Sequence, residues 1–206
     1  MEKDQDYIKD IAAIRTMMER SSKFMSLSGW AGILAGVYAL VGSYIAYVFF
    51  KFNPTEIVYN STAAVFPDLL NVIVLATIIL LLSIGTAIFL SFKRATKRTE
   101  PLWNATSRRM LINMSVPLVT GGVLILVSVS LGLIGLLAPF SLLFYGLALF
   151  SAGNYTFGEL RFLGILLVLL GLLGSWFIEY GLLLWAAGFG LMHIFYGIYI
   201  HIKHER

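Results

Sequence analysis

The stretch Met110–Gly158 contains no charged residue and reads MLINMSVPLVTGGVLILVSVSLGLIGLLAPFSLLFYGLALFSAGNYTFG. As a single helix these 49 residues would be about 73 Å long, more than twice the roughly 30 Å thickness of a bilayer's hydrocarbon core. The stretch must therefore fold back, and we expect the turn in Leu133–Pro139, which contains both Gly and Pro. It predicts two transmembrane helices, near 110–133 and 137–157.

Four more uncharged stretches are long enough to cross a bilayer, although the third of them, with 17 residues, is near the lower limit. They run Phe24–Phe50, Leu69–Phe92, Phe162–Ile178 and Tyr180–Ile202. The whole chain is 59% hydrophobic and only 13% charged, far from the composition of a soluble domain. We therefore predict an all-α, polytopic transmembrane helix bundle of about six spans. It would form one transmembrane domain over 28–206, with the other four spans near 28–50, 69–92, 162–178 and 180–202.

The basic residues predict the orientation of this bundle. Cytoplasmic loops of membrane proteins are enriched in Lys and Arg. With six spans and the amino terminus inside, Lys51 alone among the fifteen basic residues falls outside the cytoplasm. We expect a bacterial inner-membrane protein with both termini in the cytoplasm. The net charge of +4 is then a consequence of orientation, and we expect no nucleic-acid partner.

The loop between the second and third spans concentrates positive charge. Such residues attract anionic lipid headgroups at about 1 kcal/mol each near the surface. We therefore predict lipid headgroup contacts for six residues: Lys93, Arg94, Lys97, Arg98, Arg108 and Arg109.

Residues 1–27 are interpreted as a cytoplasmic amphipathic helix. Tyr7, Ile11, Ile14 and Met18 fall on one helical stripe, and charged residues occupy much of the remaining surface. The helix would lie at the membrane interface, or form a short coiled coil that recruits a protein partner or a second copy. Because these first residues are charged and polar, we expect no cleaved signal peptide.

Small residues in the first span predict a close helix contact. Ser28, Gly32 and Gly36 are four residues apart, so that Gly32-Ile-Leu-Ala-Gly36 forms a GxxxG motif. Small residues at this spacing let two helix backbones approach closely within a membrane. Packing within the chain is the favoured interpretation, and contact between two copies is the alternative.

The second half of the sequence contains a weak internal repeat. An offset of 39 residues places Gly132–Gly158 over Gly171–Gly197, with Gly132 on Gly171 and Asn154 on His193. This predicts that spans three and four and spans five and six are parallel copies of one hairpin. Parallel repeats occur in transporters, but a duplicated bundle need not transport anything.

Several segments resemble a known group of proteins. Arg15–Phe24, Asn154–Gly164, Tyr180–Gly190 and Leu191–Gly197 are similar to segments of an uncharacterised family of bacterial six-span inner-membrane proteins. The resemblance covers nearly the whole chain. It implies a bacterial membrane location and brings with it no activity, cofactor or catalytic residue.

His193 is the only titratable side chain well inside a predicted span, which makes it a candidate functional residue. Asn154, its equivalent in the repeat, and Tyr196 complete a candidate ligand or proton-relay site. The favoured interpretation is nevertheless structural, with a neutral His193 hydrogen-bonded across a helix contact, and a proton relay, ligand contact or metal site is the alternative. His201 and His204 are interpreted as a solvated tail, and Glu159 is expected to form a structural pair.

The sequence contains none of the common catalytic or nucleotide-binding motifs, and it has no cysteine. We expect no catalytic residues, metal site or cofactor. The favoured hypothesis is a non-enzymatic membrane protein with a regulatory or partner-binding cytoplasmic face. The alternative is a small transporter or channel that uses the interface of spans four and six.

Overall fold

A computed structural model describes residues 27–52, 66–97 and 103–205, with only the backbone of residues 66–68. All regular structure in these ranges is helical, which confirms the predicted all-α bundle. The amphipathic helix predicted over 1–27 lies, apart from Leu27, outside the described residues. Arg98 also lies outside them.

Within the described ranges, six helical segments are long and apolar enough to cross a membrane, as predicted. The first five correspond to α1 Gly29–Val48, α2 Phe66–Lys97, α3 Ala105–Ser130, α4 Leu137–Ala152 and α5 Glu159–Trp176, and the fourth span, Ile134–Ala152, also includes the turn before α4. The sixth span, Ile178–His204, contains a 3₁₀ turn, a short α6 (Gly181–Trp185), a π-helix (Ala186–Met192) and α7 (His193–His204). A 3₁₀ turn at Ile134–Leu136 joins α3 to α4, within the expected turn.

The outer surface of the bundle is apolar. Leu81 on α2 is 64% exposed and Trp176 on α5 is 83% exposed, and the most apolar part of α2 contains no buried residue. Contiguous apolar surface of this extent is unfavourable in water and is stable in hydrocarbon. The chain is a multi-pass membrane protein.

Helix α1 lies between α2 and the sixth span, whereas α3, α4 and α5 pack in chain order. The sixth span also contacts α4 and α5. It therefore joins α1 and α2 to the group formed by α3, α4 and α5. A core forms around α4 and α5, where Leu142 and Leu167 are fully buried. We call the end of the bundle that carries the start of α1 and the end of α7 the terminal face, and the other end the opposite face.

Glycines bring α1 and the sixth span into backbone contact. A Cβ on Gly36 would lie 2.6 Å from the carbonyl oxygen of Gly190, and one on Gly32 would lie 3.2 Å from that of His193. On the facing side, a Cβ on Gly197 would lie 2.5 Å from the carbonyl oxygen of Gly29. A Cβ on Gly36 or Gly197 would overlap these backbone atoms and one on Gly32 would be tight, so the motif in the first span contributes to packing within the chain. Ser28 lies immediately before α1.

A second glycine contact joins α4 to α5. A Cβ on Gly146 would lie 2.7 Å from the carbonyl oxygen of Gly164, and one on Gly164 would lie equally close to the carbonyl oxygen of Gly146. The two helices therefore touch through their backbones. This contact places the buried leucines of α4 and α5 against each other.

The residues matched by the 39-residue repeat do not have matching structural roles. Gly132 has φ +72° and turns the chain after α3, a conformation that glycine adopts without steric cost. Its repeat partner Gly171 lies inside α5, packed against Leu143. The two 3₁₀ turns, which begin at Ile134 and Ile178, are 44 residues apart rather than 39. The two hairpins therefore do not align at the predicted offset of 39 residues. A shared pattern of Gly and Leu in the sequence does not require the two turns to lie at equivalent positions.

The contact between α1 and the sixth span predicts the effect of adding one methyl group. Gly197→Ala should lower the free energy of unfolding by about 1–3 kcal/mol, because the new atom meets the backbone of Gly29 and Ile33, which cannot move aside easily. Thermal unfolding of the detergent-solubilised protein measures the change. Gly85→Ala on α2 is the matched control, since a Cβ there meets no atom within 4 Å. Equal destabilisation by both variants would contradict the proposed contact.

Candidate functional site

His193 lies at the end of the π-helix, where the sixth span passes α4. Its side chain is buried, with a relative exposure of 5%. The imidazole Nδ1 lies 2.9 Å from the carbonyl oxygen of Gly188, and Nε2 lies 3.4 Å from the Tyr145 hydroxyl. The predicted candidate is thus positioned between spans four and six, with a hydrogen-bond partner on each ring nitrogen.

The geometry shows that Nδ1 of His193 carries a proton. A carbonyl oxygen only accepts hydrogen bonds, so Nδ1 must be the donor to Gly188. The hydroxyl of Tyr145 both donates and accepts, so it pairs with Nε2 whether or not that nitrogen is protonated. Both ring nitrogens are therefore engaged by protein atoms.

Aromatic rings enclose the imidazole. The ring of Tyr145 stacks on it at a centroid distance of 5.6 Å, and Phe189 stacks at 5.8 Å. Trp185 extends the cluster, with its ring 5.0 Å from that of Phe189. His193 is therefore held at a packed helix contact, and chemistry at this position requires the aromatic cluster to open.

Of the other two predicted members of this site, Asn154 lies elsewhere in the bundle, whereas Tyr196 packs against the same core cluster as Tyr145. Asn154 is exposed in the turn after α4, and its side-chain amide donates a hydrogen bond to the carbonyl oxygen of Ser151 at 3.2 Å. The pairing of Asn154 with His193 came from the 39-residue register, which the helix boundaries do not follow.

The sequence interpretation did not identify Tyr145. The signal available in the sequence was a phenol in the middle of a span, where its hydroxyl needs a partner. No comparable feature of the sequence indicated the π-helix. π-helices are rare and occur often at functional sites, where the extra residue in the turn shifts the side chains that follow.

A second polar cluster lies at the terminal face. The guanidinium of Arg94, at the end of α2, forms a salt bridge with Glu205 and donates hydrogen bonds to the carbonyl oxygens of Leu27 and His204. The other oxygen of Glu205 lies 2.6 Å from His201 Nδ1, and the backbone N–H of Gly29 also donates to this carboxylate at 2.6 Å. We call Arg94, His201, Glu205 and the backbone at Leu27–Gly29 the terminal network.

The terminal network stabilises the charged form of Glu205. Burial alone would raise the pKa of this carboxyl group. Hydrogen bonds from His201 and Gly29 and the charge of Arg94 outweigh that effect and lower the pKa below the ordinary value of 4.5. Glu205 is therefore a carboxylate at neutral pH.

The placement of Arg94 corrects its predicted role. Its side chain is only 11% exposed and contacts protein, so it is removed from the set expected to face lipid headgroups. Four of the others, Lys93, Lys97, Arg108 and Arg109, are exposed. Arg94 differs from them because its position on α2 faces the start of α1 and the end of α7.

The interpretation of His201 and His204 as a solvated tail is also wrong. His201 belongs to the terminal network, and the ring of His204 stacks on Phe157 at a centroid distance of 4.3 Å. Between these two histidines, Lys203 Nζ lies 2.6 Å from Glu159 Oε1. The structural pair expected of Glu159 is thus confirmed, and it links the end of the sixth span to the start of α5.

The described ranges contain no group of three His, Asp or Glu side chains that could hold a metal ion. Comparisons with protein-family models, curated proteins and solved structures find no match to this chain.

The terminal network predicts an acid-sensitive contribution to stability. Because the pKa of Glu205 is lower in the folded protein, its carboxylate stabilises the fold above pH 4.5 and loses this effect as the pH falls below that value. Glu205→Gln should destabilise the protein at pH 7 by roughly 1–3 kcal/mol and flatten the acid side of the stability profile. Thermal unfolding between pH 3 and pH 8 tests this, with the exposed Glu179→Gln as control. A profile for Glu205→Gln that parallels the wild type would contradict it.

Proposed function

We propose that this chain is a non-enzymatic protein of the bacterial cytoplasmic membrane whose terminal face lies in the cytoplasm and binds a protein partner. The orientation is supported by the distribution of Lys and Arg, since Lys51 is the one basic residue assigned to the opposite face. The family resemblance of Asn154–Gly164 and Tyr180–Gly197 supports the bacterial membrane location.

The observation that carries this proposal is the terminal network. It ties the start of α1 to the ends of α2 and α7 through a single guanidinium–carboxylate pair. The amino-terminal segment is covalently joined to this network through Leu27, because Leu27 and Gly29 both contribute backbone groups to it. A partner that binds the amino-terminal segment would therefore act on three helix ends together.

Deletion of residues 2–23 provides the test. The shortened chain should insert and purify normally, because the deletion leaves Leu27, Gly29 and all six spans in place. Proteins that cross-link to the full chain in intact cells and co-purify with it should be absent from the deletion variant. Quantitative mass spectrometry of the two purified samples measures this difference.

A matched control distinguishes partner binding from a general loss of surface charge. Lys51→Gln removes one basic residue from the opposite face, and it should leave the set of captured proteins unchanged. An identical set of captured proteins for the full chain and the deletion variant would overturn the proposal.

The hydrogen bond between Tyr145 and His193 favours a second candidate function, a small proton-linked transporter. It joins spans four and six in the membrane interior, beside a π-helix that interrupts the regular α-helical pattern. Discontinuous helices line the substrate sites of many transporters. In this alternative, movement at the π-helix would open the aromatic cluster and let His193 exchange a proton.

This alternative predicts proton flux that depends on His193. Liposomes containing the purified protein and a pH-sensitive dye should show a flux above that of protein-free liposomes. His193→Ala should abolish it, and Tyr145→Phe should reduce it, because each removes one side of the hydrogen bond. Tyr180→Phe, at an exposed tyrosine, is the control and should retain the flux. Absence of flux in the wild type, or full flux in His193→Ala, would dismiss this function.

A further inference from the structure

A groove of about 650 Å³ opens on the terminal face where the end of α4, the start of α5 and the end of α7 meet. It is separate from the His193 cluster and from the terminal network. Its floor and walls come from residues near the ends of three transmembrane helices. The groove therefore lies at the level of the membrane surface.

One wall of the groove is positively charged. Arg161 is exposed, lies with its guanidinium 6.0 Å from the ring centre of Phe150, and forms no ion pair with any described residue. Lys203 is 49% exposed and binds Glu159 at 2.6 Å and the Tyr199 hydroxyl at 3.1 Å. Two cations and one carboxylate leave this wall with a net charge of +1. Its charge is complementary to a phosphate group.

The other wall is apolar and continues toward the membrane interior. Phe162 is 71% exposed and Ile165 is 44% exposed, both on α5. At about 1.5 Å per residue, Ile165 lies about 6 Å further along the helix than Arg161. The groove thus places a cation at the membrane surface and apolar side chains directly below it.

We propose that this groove binds an acidic phospholipid of the surrounding bilayer. The phosphate would contact Arg161 and Lys203, and the first part of an acyl chain would lie against Phe162 and Ile165. A soluble phosphate would use the cations alone and leave the apolar wall without a role. The proposal depends neither on which leaflet the terminal face meets nor on the presence of a protein partner.

The binding test compares two lipids that differ only in headgroup. The full chain in detergent is titrated with phosphatidylglycerol and with phosphatidylcholine of the same acyl chains, and bound lipid is counted by native mass spectrometry. Phosphatidylglycerol should bind more tightly. Arg161→Gln should weaken it about fivefold, the factor expected of one basic residue at an anionic membrane surface. Lys97→Gln, at an exposed cation outside the groove, should leave this binding unchanged.

A second pair of variants tests the groove itself rather than its charge. Gly158 lines the groove, and a Cβ there meets no atom within 4 Å, so that the side chain of a leucine would start in open space. Gly158→Leu should reduce phosphatidylglycerol binding by at least as much as Arg161→Gln. Gly122→Leu, at an equally open position on α3, should have no effect.

Three results would overturn the proposal. One is equal binding of the two lipids by the wild type. Another is unchanged phosphatidylglycerol binding in both Arg161→Gln and Gly158→Leu, with unfolding temperatures like that of the wild type. The third is complete displacement of the lipid by millimolar inorganic phosphate, which would show that the site recognises the anion without the acyl chain.

Discussion

The backbone contact between α1 and the sixth span is the constraint on which the rest of the bundle depends. Lipid tails are as apolar as leucine, so helices in a membrane gain little from hiding apolar side chains and must associate through close packing. Gly29, Gly32 and Gly36 on one side and Gly190 and Gly197 on the other permit that packing. The sixth span also packs on α4 and α5, and this one contact therefore unites both parts of the molecule.

The polar groups follow from this arrangement. Once α1 and the sixth span are in contact, the start of one and the end of the other meet at the terminal face, and Glu205 reaches the N–H of Gly29. Arg94 then supplies the opposite charge from α2. The same contact holds the π-helix, since Gly190 packs against Leu40 of α1. His193 thus lies between two fixed positions of the sixth span, Gly190 against α1 and Glu205 in the terminal network.

The number of spans could be predicted from the sequence because the thickness of the membrane sets the length and hydropathy that a span needs. Both of these can be read directly along the chain. The inward orientation of Arg94 could not be predicted in this way, because hydropathy does not reveal which side of a helix faces protein. For the same reason Tyr145 was not identified as the partner of His193. The two histidines near the carboxyl end were interpreted as a solvated tail. Glu205 follows His201 by four residues at the end of the same helix, a spacing from which their contact could have been predicted, whereas Phe157 approaches His204 only when the helices assemble. Glycine spacing predicted a close contact for α1 without indicating which helix would meet it.

The long separation in sequence between the partners of the terminal network has a consequence for biosynthesis. Gly29 and Glu205, which share a hydrogen bond, are 176 positions apart. At a translation rate of 5–20 residues per second, the first span waits roughly 10–35 s in the bilayer before its partner residue has been made. During that interval the glycine face of α1 is open to lipid or to helices of other proteins. Assembly of this bundle is therefore completed only after Glu205 has been synthesised, and a membrane chaperone that covers this face would act within that interval.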